Sequence, residues 1–307
     1  YEPFPLNGMQ QAYWIGRNSF FEIGNIAIHL YFEVESIDFD VARFNQAWQR
    51  LVERHDMLRA VVLPDGRQQI LQETPTWQLE VIDLRGYEPK ALEEQLNISR
   101  EHLSHLVKPI EQWPQFEIRA LQIDEHATRL YFSFDGWCLD GWSYQILFRD
   151  LVTLYQNPKA PLPSVDLSFR DYVLAVQNLE TSLAFQHSLE YRQKRIPSLP
   201  PAPELPLAIN PKTLEKPRFR RYSQQLPSEI WQRLKTRAQK SKLTPTALLM
   251  AVYAEVLTLW SKTPHFTINV PRFNRLPLHP QVNEIIGEFA SFTLLEIDNS
   301  KSDSFEV

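Results

Sequence analysis

Two aspartates and a serine, Asp135, Asp140 and Ser143, stand in the segment Phe134-Asp135-Gly136-Trp137-Cys138-Leu139-Asp140-Gly141-Trp142-Ser143. Paired carboxylates can orient groups or move protons, and a nearby hydroxyl can hold one of them in place. Residues 129–134 before them are aromatic and β-rich, while 142–155 place Trp142, Ile146, Leu147, Leu151 and Leu154 at helical spacing. The carboxylates therefore belong on a strand-to-helix loop, where free N–H groups and the positive end of a helix dipole favour ionised acids. Asp140 falls where a helix N-cap belongs, and a capping aspartate needs no catalytic duty. Asp135 ends the strand with no helix to cap, which leaves it the stronger candidate for chemistry.

Cys138 lies inside the same segment, but no neighbouring base would activate its thiol, so it reads as a small packed apolar group. As the only cysteine it can form no intramolecular disulfide and no thiolate cage, and the eight histidines show no metal-binding spacing. No metal is expected. A reducing cytoplasm is the expected home.

The elements that must position the segment follow from periodicity. Residues 38–55 read as an amphipathic helix with Val41, Phe44, Ala47, Trp48, Leu51 and Val52 on one face. Short strands are expected at 68–71 and 77–82, a helix at 93–107, a strand at 116–123, and a helical stretch from Phe169 to Arg195. A proline-rich stretch, 197–217, then links to strand-like 219–225, helices at 229–241 and 245–260, and strands at 266–270 and 292–298. Thr244 followed by Pro245 is a strong helix start. This alternation suits a mixed α/β layer fold.

Composition bounds the rest. The chain has 307 residues, 43% of them hydrophobic, with 23 prolines against 8 glycines, enough for a substantial core with stiff connections. A formal charge of -5 with both signs interspersed offers no basic face for nucleic acid. No apolar run approaches the roughly 20 residues of a membrane helix, and the first residues do not read as a secretory signal.

The motif segment, taken with five others in order, resembles the heterocyclization domains of nonribosomal peptide synthetases, whose signature DxxxxDxxS is matched by Asp135, Asp140 and Ser143. The opening Phe4-Pro5-Leu6 with Gln10, Ala12, Tyr13, Gly16 and Arg17 resembles that family's first motif, and Arg54-His55-Asp56-Met57-Leu58-Arg59-Ala60 its second. The proline-rich 199–207, the run from Thr244-Pro245 to Trp260-Ser261, and Phe273-Asn274-Arg275-Leu276-Pro277-Leu278-His279-Pro280 with Gly287, Glu288 and Phe289 resemble the following ones. Ordinary condensation domains carry HHxxxDG here, so Gly136 stands where their second histidine would be.

The resemblance implies two chloramphenicol-acetyltransferase-like lobes in a V, with a tunnel admitting phosphopantetheine arms from two peptidyl carrier proteins. The first lobe is placed at 1–178 and a linker with an incomplete second lobe at 179–307, because the family continues through further motifs beyond Val307. The threonine and aspartate that the family would assign to cyclodehydration fall in that portion. The implied reaction joins a carrier-bound acyl group to carrier-bound Cys, Ser or Thr and closes a thiazoline or oxazoline. Implied partners are upstream and downstream carrier proteins and an adenylation domain, with no cofactor bound directly. Asp135 is expected either to orient or deprotonate the amine or to organise the loop. Asp140 is expected to hold the loop by pairing with Arg17 or Arg275, and Ser143 to bond Asp140. Asn274 either faces the tunnel or is a turn residue, and Trp137 and Trp142 wall the loop. Condensation without ring closure and a noncatalytic carrier-docking scaffold are the alternatives.

Overall fold

The computed structural model describes residues 1–17, 26–214, 218–219 and 222–301. Its central element is β7 (Ala127–Asp135), which sends Leu130, Phe132 and Phe134 to one face and Tyr131, Ser133 and Asp135 to the other, as the two-residue period of a strand requires. It lies between β2 (His29–Ile37) and β6 (Phe116–Gln122), antiparallel to both, and β5 (Glu80–Asp83) adds to β6 in parallel. The register sets His29 directly opposite Asp135. A second, three-stranded sheet has the order β1 (Phe4–Pro5), β4 (Arg67–Ile70), β3 (Ala60–Val62).

One face of the larger sheet is covered by α2 (Val41–Arg54) and α4 (Gly141–Gln156). Phe44 and Trp48 of α2 and Phe148 of α4 meet Phe32, Phe116, Phe132 and Phe134 in a lattice of stacked and edge-on rings. Aromatic side chains combine large buried area with preferred ring geometry, so this lattice fixes the strand that ends in Asp135. The opposite face packs Tyr131 and Leu121 against Leu92, Leu96 and Leu103 of α3 (Pro89–Ser104).

Two compact units result: Tyr1–Ser182 with Phe273–Ser291, and Leu183–Arg272 with Phe292–Val307. The second holds α6 (Leu183–Arg195), α7 (Ser228–Lys240), α8 (Pro245–Trp260) and a two-stranded sheet of β8 (His265–Phe273) and β9 (Ala290–Asp298). Among the described residues no single helix is long and apolar enough to cross a membrane.

Two sequence expectations need correction. The helical stretch expected over 169–195 is broken into α5 (Phe169–Leu179) and α6, where the Thr181 hydroxyl turns back to the Asn178 carbonyl. Trp77 to Leu79 do not join a strand: side chains of α2 take their backbone donors, Asn45 accepting from Leu79 N–H at 2.8 Å and Gln49 from Trp77 N–H at 3.4 Å. The stretch 273–291 packs with the first compact unit. The strand expected at 219–225 falls partly outside the described residues, and those of its members that are described form no strand.

Candidate functional site

The loop between β7 and α4 is clamped from two sides of the sequence. From the N-terminal side comes α1 (Gly8–Gly16), opened by a capping box in which Asn7 Oδ1 accepts from Gln10 N–H and Gln10 Oε1 accepts from Asn7 N–H. Gln10, fully buried, donates to the Trp137 carbonyl at 3.1 Å and shares amide hydrogen bonds with Gln68. At the end of α1, Arg17 pairs with Asp135 and also donates to the Lys108 carbonyl at 3.1 Å. Trp137 itself is fully buried, its indole N–H donating to Gln115 at 3.0 Å.

From the C-terminal side comes 274–289. Asp140 caps α4 with its side chain: Oδ1 accepts the Ser143 N–H at 2.7 Å, lies 2.6 Å from Ser143 Oγ, and pairs with Arg275 Nη2 at 2.9 Å. Ser143 Oγ is also 2.9 Å from the Gly287 carbonyl, so its single proton can serve either acceptor, and it accepts from the Gly287 N–H and from Arg275, both at 3.0 Å. The Asp140 N–H donates to the Gly287 carbonyl at 2.9 Å. Arg275 spends its other terminal nitrogen on the carbonyls of Val282 and Ile285, 2.8 Å each, and lies 3.8 Å over the Phe289 ring.

Two glycines are required by close approach. A Cβ on Gly136 would stand 2.9 Å from Ile28 Cγ1, while the Gly136 N–H donates to the Ile28 carbonyl at 2.8 Å. A Cβ on Gly287 would stand 2.2 Å from the Phe169 ring. Neither position admits a side chain without displacing a packed neighbour.

The two arginines thus divide between the two aspartates, Arg17 to Asp135 and Arg275 to Asp140. Burial raises the Asp135 carboxyl above its ordinary value, and the Arg17 charge opposes that rise. Burial pushes the Cys138 thiol well up, which keeps it an unreactive thiol, with Sγ donating to the Asp135 carbonyl. His29, opposite Asp135, lies 2.7 Å from Ser133 Oγ, and its imidazole is lowered to about 4, first by burial and then by His105. Trp142, expected to wall the loop, is instead exposed and donates to the Asn283 carbonyl at 3.1 Å. The side chain of Asn274 is exposed, and its backbone does the bonding, accepting from the Tyr172 hydroxyl at 2.7 Å and donating to the Phe289 carbonyl. Among the described residues no group of three or more His, Cys, Asp or Glu is placed to hold a metal ion.

Sequence reasoning passed over Gln10, Gln115 and Gly287 as partners of the loop. Gln10 and Gly287 stood inside quoted motifs. Gln115 carried no local signal, because its bonds to the loop join residues distant in the chain: its side chain accepts from the Trp137 indole N–H and its carbonyl from the Asp135 N–H, each at 3.0 Å.

The mixed α/β fold that holds this loop is that of the chloramphenicol-acetyltransferase-like condensation-domain structures. The chain matches the condensation-domain family over residues 2–306, and it belongs to that family. It is 38% identical over 297 residues to bacitracin synthase 1 of Bacillus licheniformis, covering 97% of this chain and 6% of that protein. It is 34% identical over 301 residues to phenyloxazoline synthase MbtB of Mycobacterium tuberculosis, covering 97% of this chain and 21% of that protein. Among solved structures it is similar to the cyclization-docking bidomain of the nonribosomal peptide synthetase EpoB from Sorangium cellulosum, with a TM-score of 0.92 and 43% identity over 99% of this chain and 61% of that one. The chain therefore spans a minor part of the curated relatives it matches.

Proposed function

We propose that this condensation domain forms an amide between two carrier-bound substrates and then closes the product to a thiazoline or oxazoline. The observation that carries the reading is the loop itself. Asp135 and Asp140 are each fixed by their own arginine, and a glycine packed against Ile28 occupies the place of the histidine of ordinary condensation domains. Likeness to a phenyloxazoline synthase and to a cyclization bidomain supports it.

In the first step the acceptor amine attacks the donor thioester carbonyl. A C–N bond forms, the amine loses a proton, and the donor arm leaves as its thiol. In the second step the Cys, Ser or Thr side chain adds to the new amide carbonyl, and that carbonyl's oxygen departs as water while the ring C=N forms. An ordinary carboxylate near 4 facing an ammonium near 8 is a poor base by roughly 5 kcal/mol. Burial raises Asp135 and narrows that gap, but the Arg17 charge opposes the rise; ion-paired to Arg17, Asp135 organises the loop, and most of the rate comes from holding the two thioesters in attack geometry, where effective molarity supplies about 7–11 kcal/mol. Asp140 and Ser143 hold the start of α4 against 274–289. Upstream and downstream carrier proteins deliver the substrates on phosphopantetheine arms, and an adenylation domain loads the acceptor.

The test is a product mass. With loaded donor and acceptor carriers, the ring product is lighter than the open amide by one water. With the full-length protein that contains this domain, amide alone identifies a condensation-only enzyme and neither product identifies a docking scaffold; either outcome rejects ring closure.

A further inference from the structure

Glu288 is a buried acid that the reaction as written does not use. It is 2% exposed, its Oε1 accepts the Ala290 N–H at 2.7 Å, and no ion pair to it is formed among the described residues. The charged and titratable groups that interact electrostatically with it lie on three stretches of the chain. They are Tyr13 of α1, Cys138 and Asp140 of the loop, Tyr144 of α4, and Arg275 of its own segment. Within this set the one cation, Arg275, is already matched by Asp140. A second carboxylate would leave an unbalanced buried charge, which costs several kcal/mol. Two oxygens of the same set, Asp140 Oδ2 and the Tyr144 hydroxyl, are buried with no hydrogen-bond partner.

We propose that Glu288 is a positioning residue for the reaction: as a neutral carboxylic acid it leaves Asp140 the only anion beside Arg275 and thereby keeps the Asp140–Arg275–Ser143 set closed. Burial first, then the charge of Asp140, raises the Glu288 carboxyl to about 8, against the pull of the Ala290 N–H and Arg275. Ionisation above that value opens the set by repulsion from Asp140. The kinetic half of this inference rests on the function proposed above; the protonation half does not.

Two readouts separate them. Infrared difference spectra of wild type against Glu288→Gln should show a carboxylic-acid C=O band at pH 7 that fades by pH 9. With loaded carriers, wild-type amide and ring formation should fall about tenfold between pH 7 and 9 relative to Glu288→Gln, as for one group titrating near 8. Absence of the acid band, or an unchanged pH profile in the variant, overturns the proposal. Should Glu288→Gln not fold, Glu288→Asp keeps an acid and must move both the band and the alkaline limb; if neither moves, the proposal fails. An acid band without any amide or ring product rejects the proposed function while upholding the buried proton, and products without the band do the reverse.

Discussion

The unit that carries the motif loop and the unit that follows it are built on opposite terms. The first buries Trp48, Trp137, Phe116, Phe134 and Leu147 almost completely. In the second, among the described residues, the buried apolar side chains are Ala238, Ala254 and Phe266 alone. Helix α8 is the clearest case: Leu249, Val252, Tyr253, Val256, Leu259 and Trp260 are between 47% and 82% exposed. The lesson is that the site draws its rigidity from one unit. Its far partners, Arg275 and Gly287, are supplied by a return of the chain into that same unit.

This contrast can be broken or sharpened by measurement. The largest effect is expected for Arg275→Ala, which strands the buried Asp140 charge and should cost about 3–5 kcal/mol, read by denaturant unfolding, together with loss of amide formation. Tryptophan fluorescence suits the measurement, since Trp14, Trp48, Trp77, Trp113, Trp137 and Trp142 lie in the first unit and only Trp231 and Trp260 in the second. Leu147→Ala, in the core beneath the loop, should cost about 3 kcal/mol by leaving a cavity. Restoring a histidine with Gly136→His should not restore ordinary condensation: the new side chain must displace Ile28, at about 1–3 kcal/mol, and product formation should fall. A faster variant of unchanged stability would contradict the packing argument.

The pH dependence has a definite sign. Glu288 is ionised in the unfolded chain above about 4.5 but protonated in the folded chain up to about 8. Between those values the folded state binds the extra proton, so this group's contribution to stability falls as pH rises, by about 1.4 kcal/mol per unit. Urea midpoints at pH 5.5 and 7.5 should therefore differ less in Glu288→Gln than in wild type. The smallest effect belongs to the second unit, where Leu259→Ser on the exposed face of α8 should change stability by less than about 0.5 kcal/mol. A cost several times larger would show that this face is covered.

Local spacing alone determined a good deal. The aromatic alternation ending at Asp135, the N-cap at Asp140 and the Thr244-Pro245 start of α8 are each set by contacts a few residues apart, and each could be read from the sequence. Only the tertiary structure decided which arginine meets which aspartate. Arg17 and Asp135 are 118 positions apart, Arg275 and Asp140 135, and at such separations nothing in the local pattern distinguishes the two pairings. The same holds for Glu288, whose burial and acidic company come from three separate parts of the chain folding together. Periodicity records what a residue's neighbours in sequence require; charge pairing and desolvation depend on neighbours in space, which exist only once the chain has closed on itself.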